Sequence, residues 1–277
     1  MALLHAFRRA APNAVTAVAT FDHGTGPAAT RAASLVASES ARLGFTTVIG
    51  RASVPGTSEA EWRSARRRFL ADVAERTGGL VATAHTRDDQ VETVLMRVLR
   101  DAGARGLAGL YATGATLRPF LDCRRDEVAQ YAAEVGAKWV EDPTNTSMRF
   151  FRNRVRRDLL PAMTRVKPGF DEQLIGLARR AGVWRDRLDA LVVPLANVSA
   201  AGTSVSVAVH DLSPYSREEL SSVWPAIAAR VGLAMDWRGT ERAAAFTNDS
   251  RTGARIQLSG GWEISRSRHM FELRRWR

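Results

Sequence analysis

The chain has 277 residues, 45% of them apolar, and its 40 basic side chains against 29 acidic ones leave a net charge of +11. That length allows two domains, the lack of an apolar run near about 18 residues gives no membrane span, and the single Cys123 can form neither an intramolecular disulfide nor a cysteine metal cluster. Arginine carries nearly all of the positive charge, since Lys138 and Lys167 are the only lysines, and guanidinium groups favour a polyanionic partner such as a phosphate backbone.

At the N-terminus the apolar residues 2–7 are too few for a signal peptide, and Arg8 and Arg9 follow them instead of preceding them, so a cytoplasmic protein without membrane association is expected. Residues 2–10 read as a helix with Leu3, Leu4 and Phe7 on one stripe, though with no N-cap and no strand before it. Residues 15–21 read as a buried strand that ends in Asp22-His23-Gly24; a helix at 31–43 closed by Gly44 and a strand at 45–49 follow. A basic helix at 58–75 turns Trp62, Ala65, Phe69 and Val73 to one side, with Arg63, Arg66, Arg67 and Arg68 elsewhere. The apolar run 80–84 is the next strand. After a polar corner, Val91, Val94, Leu95, Val98 and Leu99 then mark a helix with one face on a sheet. Strands alternating with helices at these lengths predict a doubly wound parallel sheet, whose ligand crevice lies outside the carboxyl ends of the strands. His85, Arg87, Asp88, Asp89 and Glu92 fall there. Equally, Asp88 or Asp89 would serve only to cap the helix, with Glu92 favouring its positive end.

Downstream, 103–110 is a glycine-rich turn without the lysine of a Walker loop, and 117–121 is a short strand. Asp122 is placed to cap a helix at 124–135 that Gly136 closes, Trp139 and Val140 form a last strand, and a helix at 148–160 ends at Pro161. Between Arg149 and Arg187 there are 11 basic and 4 acidic residues. Such a helix is often a solvated face, but an excess of this size favours phosphate contacts. Past a Ser/Ala/Gly stretch at 199–204, Val205, Val207 and Val209 alternate as a strand, and Ser216 with Glu219 makes a capping box for a helix reaching Ala229. A shorter helix at 240–246 and a hairpin turning at Ser259-Gly260-Gly261 complete a small α+β domain.

Five motifs in order carry a resemblance: Ala84-His85-Thr86-Arg87-Asp88-Asp89-Gln90-Val91-Glu92-Thr93, Arg105-Gly106-Leu107-Ala108-Gly109-Leu110, Arg118-Pro119, Glu141-Asp142-Pro143-Thr144-Asn145 and Arg152-Asn153-Arg154-Val155-Arg156. Together they resemble the tRNA(Ile)-lysidine synthetases, of the N-type ATP pyrophosphatase (PP-loop) superfamily. The resemblance implies an α/β, doubly wound parallel sheet lacking its first strand in residues 1–147, a basic helical connector at 148–198 and a small α+β tRNA-binding domain at 199–277. It also implies ATP and Mg²⁺ as cofactors, with metal ligands left open. The implied partners are a tRNA(Ile) with a CAU anticodon and free L-lysine; a homodimer is left open. By the family pattern Asp89 and Glu92 hold the cytidine, with His85 and Asp88 beside them. Asp22 and His23 sit near the nucleotide, and Asp142, Arg149, Arg152, Asn153 and Arg156 contact the tRNA. The family's phosphate loop, Ser-Gly-Gly-x-Asp-Ser, does not occur in the 277 residues. Ser259-Gly260-Gly261 is no substitute, because Trp262 and Glu263 follow it. The expectation is a start recorded too late, and a chain inactive as it stands. A tRNA-binding protein without catalysis, and a different PP-loop tRNA-modifying enzyme, are the alternatives; a thiolase is disfavoured because those enzymes usually need paired cysteines.

Overall fold

The computed structural model describes residues 1–52, 58–112, 114, 116–141 and 147–276, and the chain divides into two compact units. The first joins Met1–Met96 to Thr113–Asp171, and the second joins Arg97–Ala112 to Glu172–Arg277. Residues 148–198, expected as a separate connector, are thus divided between the units.

In the first unit the order is α1 (Ala2–Ala10), β1 (Val18–Asp22), α2 (Pro27–Arg42), β2 (Thr47–Arg51), α3 (Glu59–Thr77), β3 (Val81–Ala82) and α4 (Arg87–Val98). Strand β1 pairs in parallel with β2, from Val18 opposite Thr47 to Asp22 opposite Arg51. The crossover is α2, which starts at Pro27 rather than at residue 31, because proline is preset for a first helical turn. Ser58 caps α3 by accepting from the Glu61 amide, and Gly78 ends it in the left-handed conformation. Phe69 of α3 packs on Phe21 of β1 with ring centroids 5.3 Å apart. Gly50 of β2 makes room for that ring, since a Cβ there would lie 2.6 Å from it.

The second parallel pair joins β3 to β4 (Thr116–Leu117). Among the described residues the two pairs form separate two-stranded sheets, where one continuous doubly wound sheet was expected. Helix α6 (Arg125–Glu134) has Arg124, not Asp122, at its N-cap, and Glu127 accepts from the Arg124 amide. Ala2 of α1 is buried with Ala132 and Ala137 of the α6 region, so these two helices share a small core. The expected strand at Trp139 and Val140 does not form, and Trp139 stays 60% exposed.

Pro161 does not end a helix either. Helix α7 (Phe151–Arg154) runs through a π-helical turn at Val155–Leu159 into α8 (Leu160–Val166). Proline lacks an N–H and clashes with the carbonyl four residues back, and the wider turn just before it lets the helix continue.

The second unit contains α5 (Ala104–Leu107), where Arg105 holds Asp189 of α9 (Phe170–Val192) through two hydrogen bonds of 2.6 and 3.0 Å. Strands β5 (Asn197–Val198), β6 (Ser204–Ala208), β7 (Arg255–Leu258), β8 (Trp262–Arg266) and β9 (Met270–Arg275) form an antiparallel sheet in the order β5-β6-β9-β8-β7. The expected hairpin is β7–β8, whereas β9, in which Phe271 and Leu273 alternate with Glu272 and Arg274, is a strand beyond the expected elements. Val209 opens α10 (Val209–Leu212) instead of extending β6. Helix α11 (Arg217–Ala229) has the expected capping box at Ser216, and α12 (Trp237–Asp249) is longer than expected because Asp236 caps it from outside the apolar stripe. Trp224, Ile264, Phe271 and Leu273 are nearly inaccessible, and the Trp224 indole donates to Thr247 at 2.7 Å.

Candidate active site

The polar corner after β3 is built by reciprocal capping. The Thr86 amide donates to Asp89 Oδ2 at 2.9 Å, and the Thr86 hydroxyl donates to the same oxygen at 3.1 Å. One carboxylate oxygen therefore closes the first turn of α4, which is the capping role open in the sequence. The other does not. Asp89 Oδ1 accepts from Arg152 Nη2 at 3.0 Å and from Arg125 Nη2 at 3.2 Å, with Arg156 Nη2 at 3.8 Å.

One turn on, Glu92 is 1% exposed. Arg156 binds it through Nε at 2.6 Å and Nη2 at 3.0 Å, Arg152 Nε reaches it at 2.7 Å and Arg125 Nη2 at 3.1 Å. Burial alone would raise the Glu92 pKa, but the Arg156 hydrogen bonds and the charge of Arg152 hold it below the usual carboxylate range. Asp89 is likewise lowered against its burial, by the Thr86 amide and then by Arg152 and Arg125. Two carboxylates thus face three guanidiniums. The forked geometry suits Arg and not Lys. Asp88 points elsewhere: its Oδ2 accepts from the Arg125 amide at 2.8 Å and so caps the start of α6.

His85 binds Thr83 Oγ1 through Nδ1 at 2.8 Å. Burial lowers its pKa to about 4, Asp89 opposes this, and Arg118, Arg152 and Arg63 add to the depression, so the imidazole is neutral at pH 7. The arginines continue onto α3. Arg66 keeps its side chain accessible, yet the surrounding protein, with Arg67 and Arg152, pushes its pKa down; burial and Arg67 do the same to Arg118. A positive wall therefore lies beside the neutral histidine.

Of the remaining expected residues, Asn153 is 7% exposed and its amide donates to the Ser147 carbonyl at 2.8 Å, while Arg149 is exposed. Asp142 lies outside the described residues. Asp22 is 3% exposed and folds the turn after β1: it accepts from the Gly24 amide at 2.8 Å and the Thr30 hydroxyl at 2.9 Å, with Arg51 at 3.6 Å. The Gly24 hydrogen bond is the chief cause of its lowered pKa. His23 meets Phe21 edge-on at 5.1 Å and faces Trp62 at 6.5 Å. Next to this turn a cavity of about 850 Å³ is lined by Gly24, Thr30, Arg31, Arg51, Lys138 and Trp139 among others. Its three cations and one exposed indole suit an anionic ligand with an aromatic ring. A divalent metal is less well served: among the described residues no group of three His, Cys, Asp or Glu side chains could hold one, and guanidiniums already occupy Asp89 and Glu92.

Sequence reasoning did not single out Arg125, nor the approach of the α3 arginines to His85. Both depend on contacts across many positions, such as Arg125 to Glu92, that no local spacing encodes.

A family model described as the PP-loop domain matches residues 1–163, beginning at the first residue. A Salinispora tropica protein named tRNA(Ile)-lysidine synthase is 35% identical over 266 residues, which cover 91% of this chain and 76% of that protein. The chain belongs to the tRNA(Ile)-lysidine synthase family. A Thermobifida fusca synthase is 42% identical over 178 residues, covering 62% of this chain and 54% of its own length. The chain spans about half the length of this and other synthases it matches. Among solved structures, the U34-tRNA thiolase NcsA from Methanococcus maripaludis, which carries a [4Fe-4S] cluster, aligns with a TM-score of 0.52 at 17% identity over 65% of each chain. That likeness concerns the α/β PP-loop fold alone.

Proposed function

We propose that this chain carries the PP-loop domain of a tRNA(Ile)-lysidine synthase. ATP adenylates the carbonyl oxygen on carbon 2 of the wobble cytidine of a tRNA(Ile) with a CAU anticodon, pyrophosphate leaves, and the side-chain amine of free L-lysine attacks carbon 2 and displaces AMP. The observation that carries this reading is the half-buried Asp89 and buried Glu92 braced by three arginines, in a chain of this family.

Asp89 and Glu92 are placed to take the exocyclic amine of the cytosine or the ammonium of lysine, since carboxylates accept from both. As the substrate enters, Arg152 and Arg156 turn toward tRNA phosphate. Arg125 stays on both carboxylates, so neither stands unpaired while the cytosine amine or the lysine ammonium takes the place of the other two guanidiniums. Exposed Arg149 extends this surface toward the RNA, and buried Asn153 supports it by donating to the Ser147 carbonyl. Neutral His85 offers one ring nitrogen to the substrate while Thr83 holds the other, and Asp88 anchors α6. The cavity beside Asp22 and His23 receives the nucleotide, and Mg²⁺ there would be held by the phosphates, since the described residues offer it no group of three ligands. The 277 residues hold no Ser-Gly-Gly-x-Asp-Ser loop, so the chain by itself binds tRNA and turns over poorly.

The test is ATP-dependent transfer of labelled lysine to tRNA(Ile), comparing the chain alone with a version carrying an apolar strand and a Ser-Gly-Gly-x-Asp-Ser loop ahead of Met1. The reading expects transfer in the second and little in the first. A grafted protein that folds, binds tRNA and ATP and transfers no lysine would favour a tRNA-binding role without catalysis.

A further inference from the structure

Most apolar side chains of the C-terminal sheet and its helices are buried, but two indoles are not: Trp237 is 67% exposed and Trp276 is 48% exposed. Both flank the tip of the β7–β8 hairpin. Asp236, immediately before Trp237, accepts from the Ser259 hydroxyl at 2.6 Å, and the Trp276 amide donates to the Gly261 carbonyl at 3.0 Å. Ser259 and Gly261 belong to the same tight turn, which therefore ties the start of α12 to the end of β9. Asp236 is spent on the Ser259 hydroxyl and the Gly239 amide, which hold its pKa low, and Arg238 and Arg242 are close enough to lower it further. Arg275 lies over the Trp262 ring at 5.4 Å, with its side chain exposed beside Trp276.

From residue 236 to the C-terminus the sequence holds nine arginines against five carboxylates. Two exposed indoles brought to one hairpin tip offer an aromatic surface that a single exposed side chain does not, and the local charge favours an anionic partner. We propose that this hairpin end binds unpaired nucleotides of an RNA. Trp237 and Trp276 stack on bases, and Arg238, Arg242 and Arg275 take the flanking phosphates. The inference rests on reading the chain as an RNA-modifying protein but needs neither ATP nor lysine, so failure of lysine transfer leaves it standing.

The test is fluorescence anisotropy of labelled oligoadenylate and of a blunt RNA duplex titrated with the full chain. Trp237→Ala and Trp276→Ala should each weaken oligoadenylate binding roughly tenfold, and the double change by about a hundredfold, because stacking on aromatic rings supplies much of single-strand affinity. Trp237→Phe should restore most of the affinity, and duplex binding should change little. Circular dichroism of each variant shows that the fold is kept; both side chains are exposed, so it should be. Unchanged oligoadenylate affinity in the double variant would overturn the proposal, as would an equal loss for the duplex or no binding by the unmodified chain. A changed sedimentation coefficient without loss of RNA affinity would assign the indoles to self-association and overturn it too.

Discussion

Glu92 takes hydrogen bonds from three guanidiniums while nearly inaccessible to water, so its removal leaves like charges crowded in a poorly solvated place. Glu92→Ala should destabilise the first unit by about 3–5 kcal/mol, measurable by urea denaturation, whereas breaking a solvent-exposed pair such as Arg124–Asp126 should change stability little. The acid side separates two other groups. His85 is neutral in the fold, with a pKa near 4 against an ordinary 6.5, so stability present above pH 6.5 is lost as the pH falls toward 4. Glu39, held by Arg42 and His5 at a pKa of about 2, contributes stability present above pH 4.5 that is lost as the pH falls toward 2. His85→Asn should flatten the stability profile between pH 6.5 and 4 and leave the lower limb in place, and Glu39→Gln should do the reverse; identical profiles in the two variants would refute the assignment. The identity of the key carboxylates was legible because strand, polar corner and amphipathic helix are local signals. Their partner Arg125 was not, being brought in by α6. The capping reading of Asp89 holds for Oδ2, while Oδ1 meets the arginines instead.

Among the elements, those with local punctuation matched expectation: Ser216 and Glu219 open α11, and the Gly-Gly turn joins β7 to β8. Those decided by packing did not. Trp139 and Val140 have strand-like side chains but find no partner strand among the described residues, and Pro161 is absorbed by a π turn that also carries Arg156. That turn sets where Arg156 meets Glu92. Replacing Pro161 with Ala restores an N–H and favours a regular α-helical turn, which would rotate Arg156 away; weaker tRNA binding with unchanged helix content is the expected result. On β2, Gly50→Ala forces its methyl group into Phe69 and should cost about 1–3 kcal/mol by overpacking, read as a lower denaturant midpoint.

For the whole molecule, arginine excess and family membership both point to tRNA. If Arg152 and Arg156 turn to phosphate when RNA arrives, Arg152→Ala with Arg156→Ala should lower the slope of log affinity against log salt by about 0.7–0.9 for each phosphate no longer neutralised. Substitutions of the α3 arginines belong in the same salt titration, because Arg66 and Arg67 form one wall with Arg118 and Arg152. The central claim is that Asp89 and Glu92 are the reacting site and not only a structural brace. It is tested most directly by measuring, on the same Asp89→Asn and Glu92→Gln proteins in a lysine-transferring form, both the rate of lysine transfer to tRNA(Ile) and the unfolding free energy. The account predicts that transfer falls by about 10²-fold or more, some 3 kcal/mol of transition-state stabilisation, in variants that remain folded at the assay temperature. Loss of stability with near-normal transfer would contradict it.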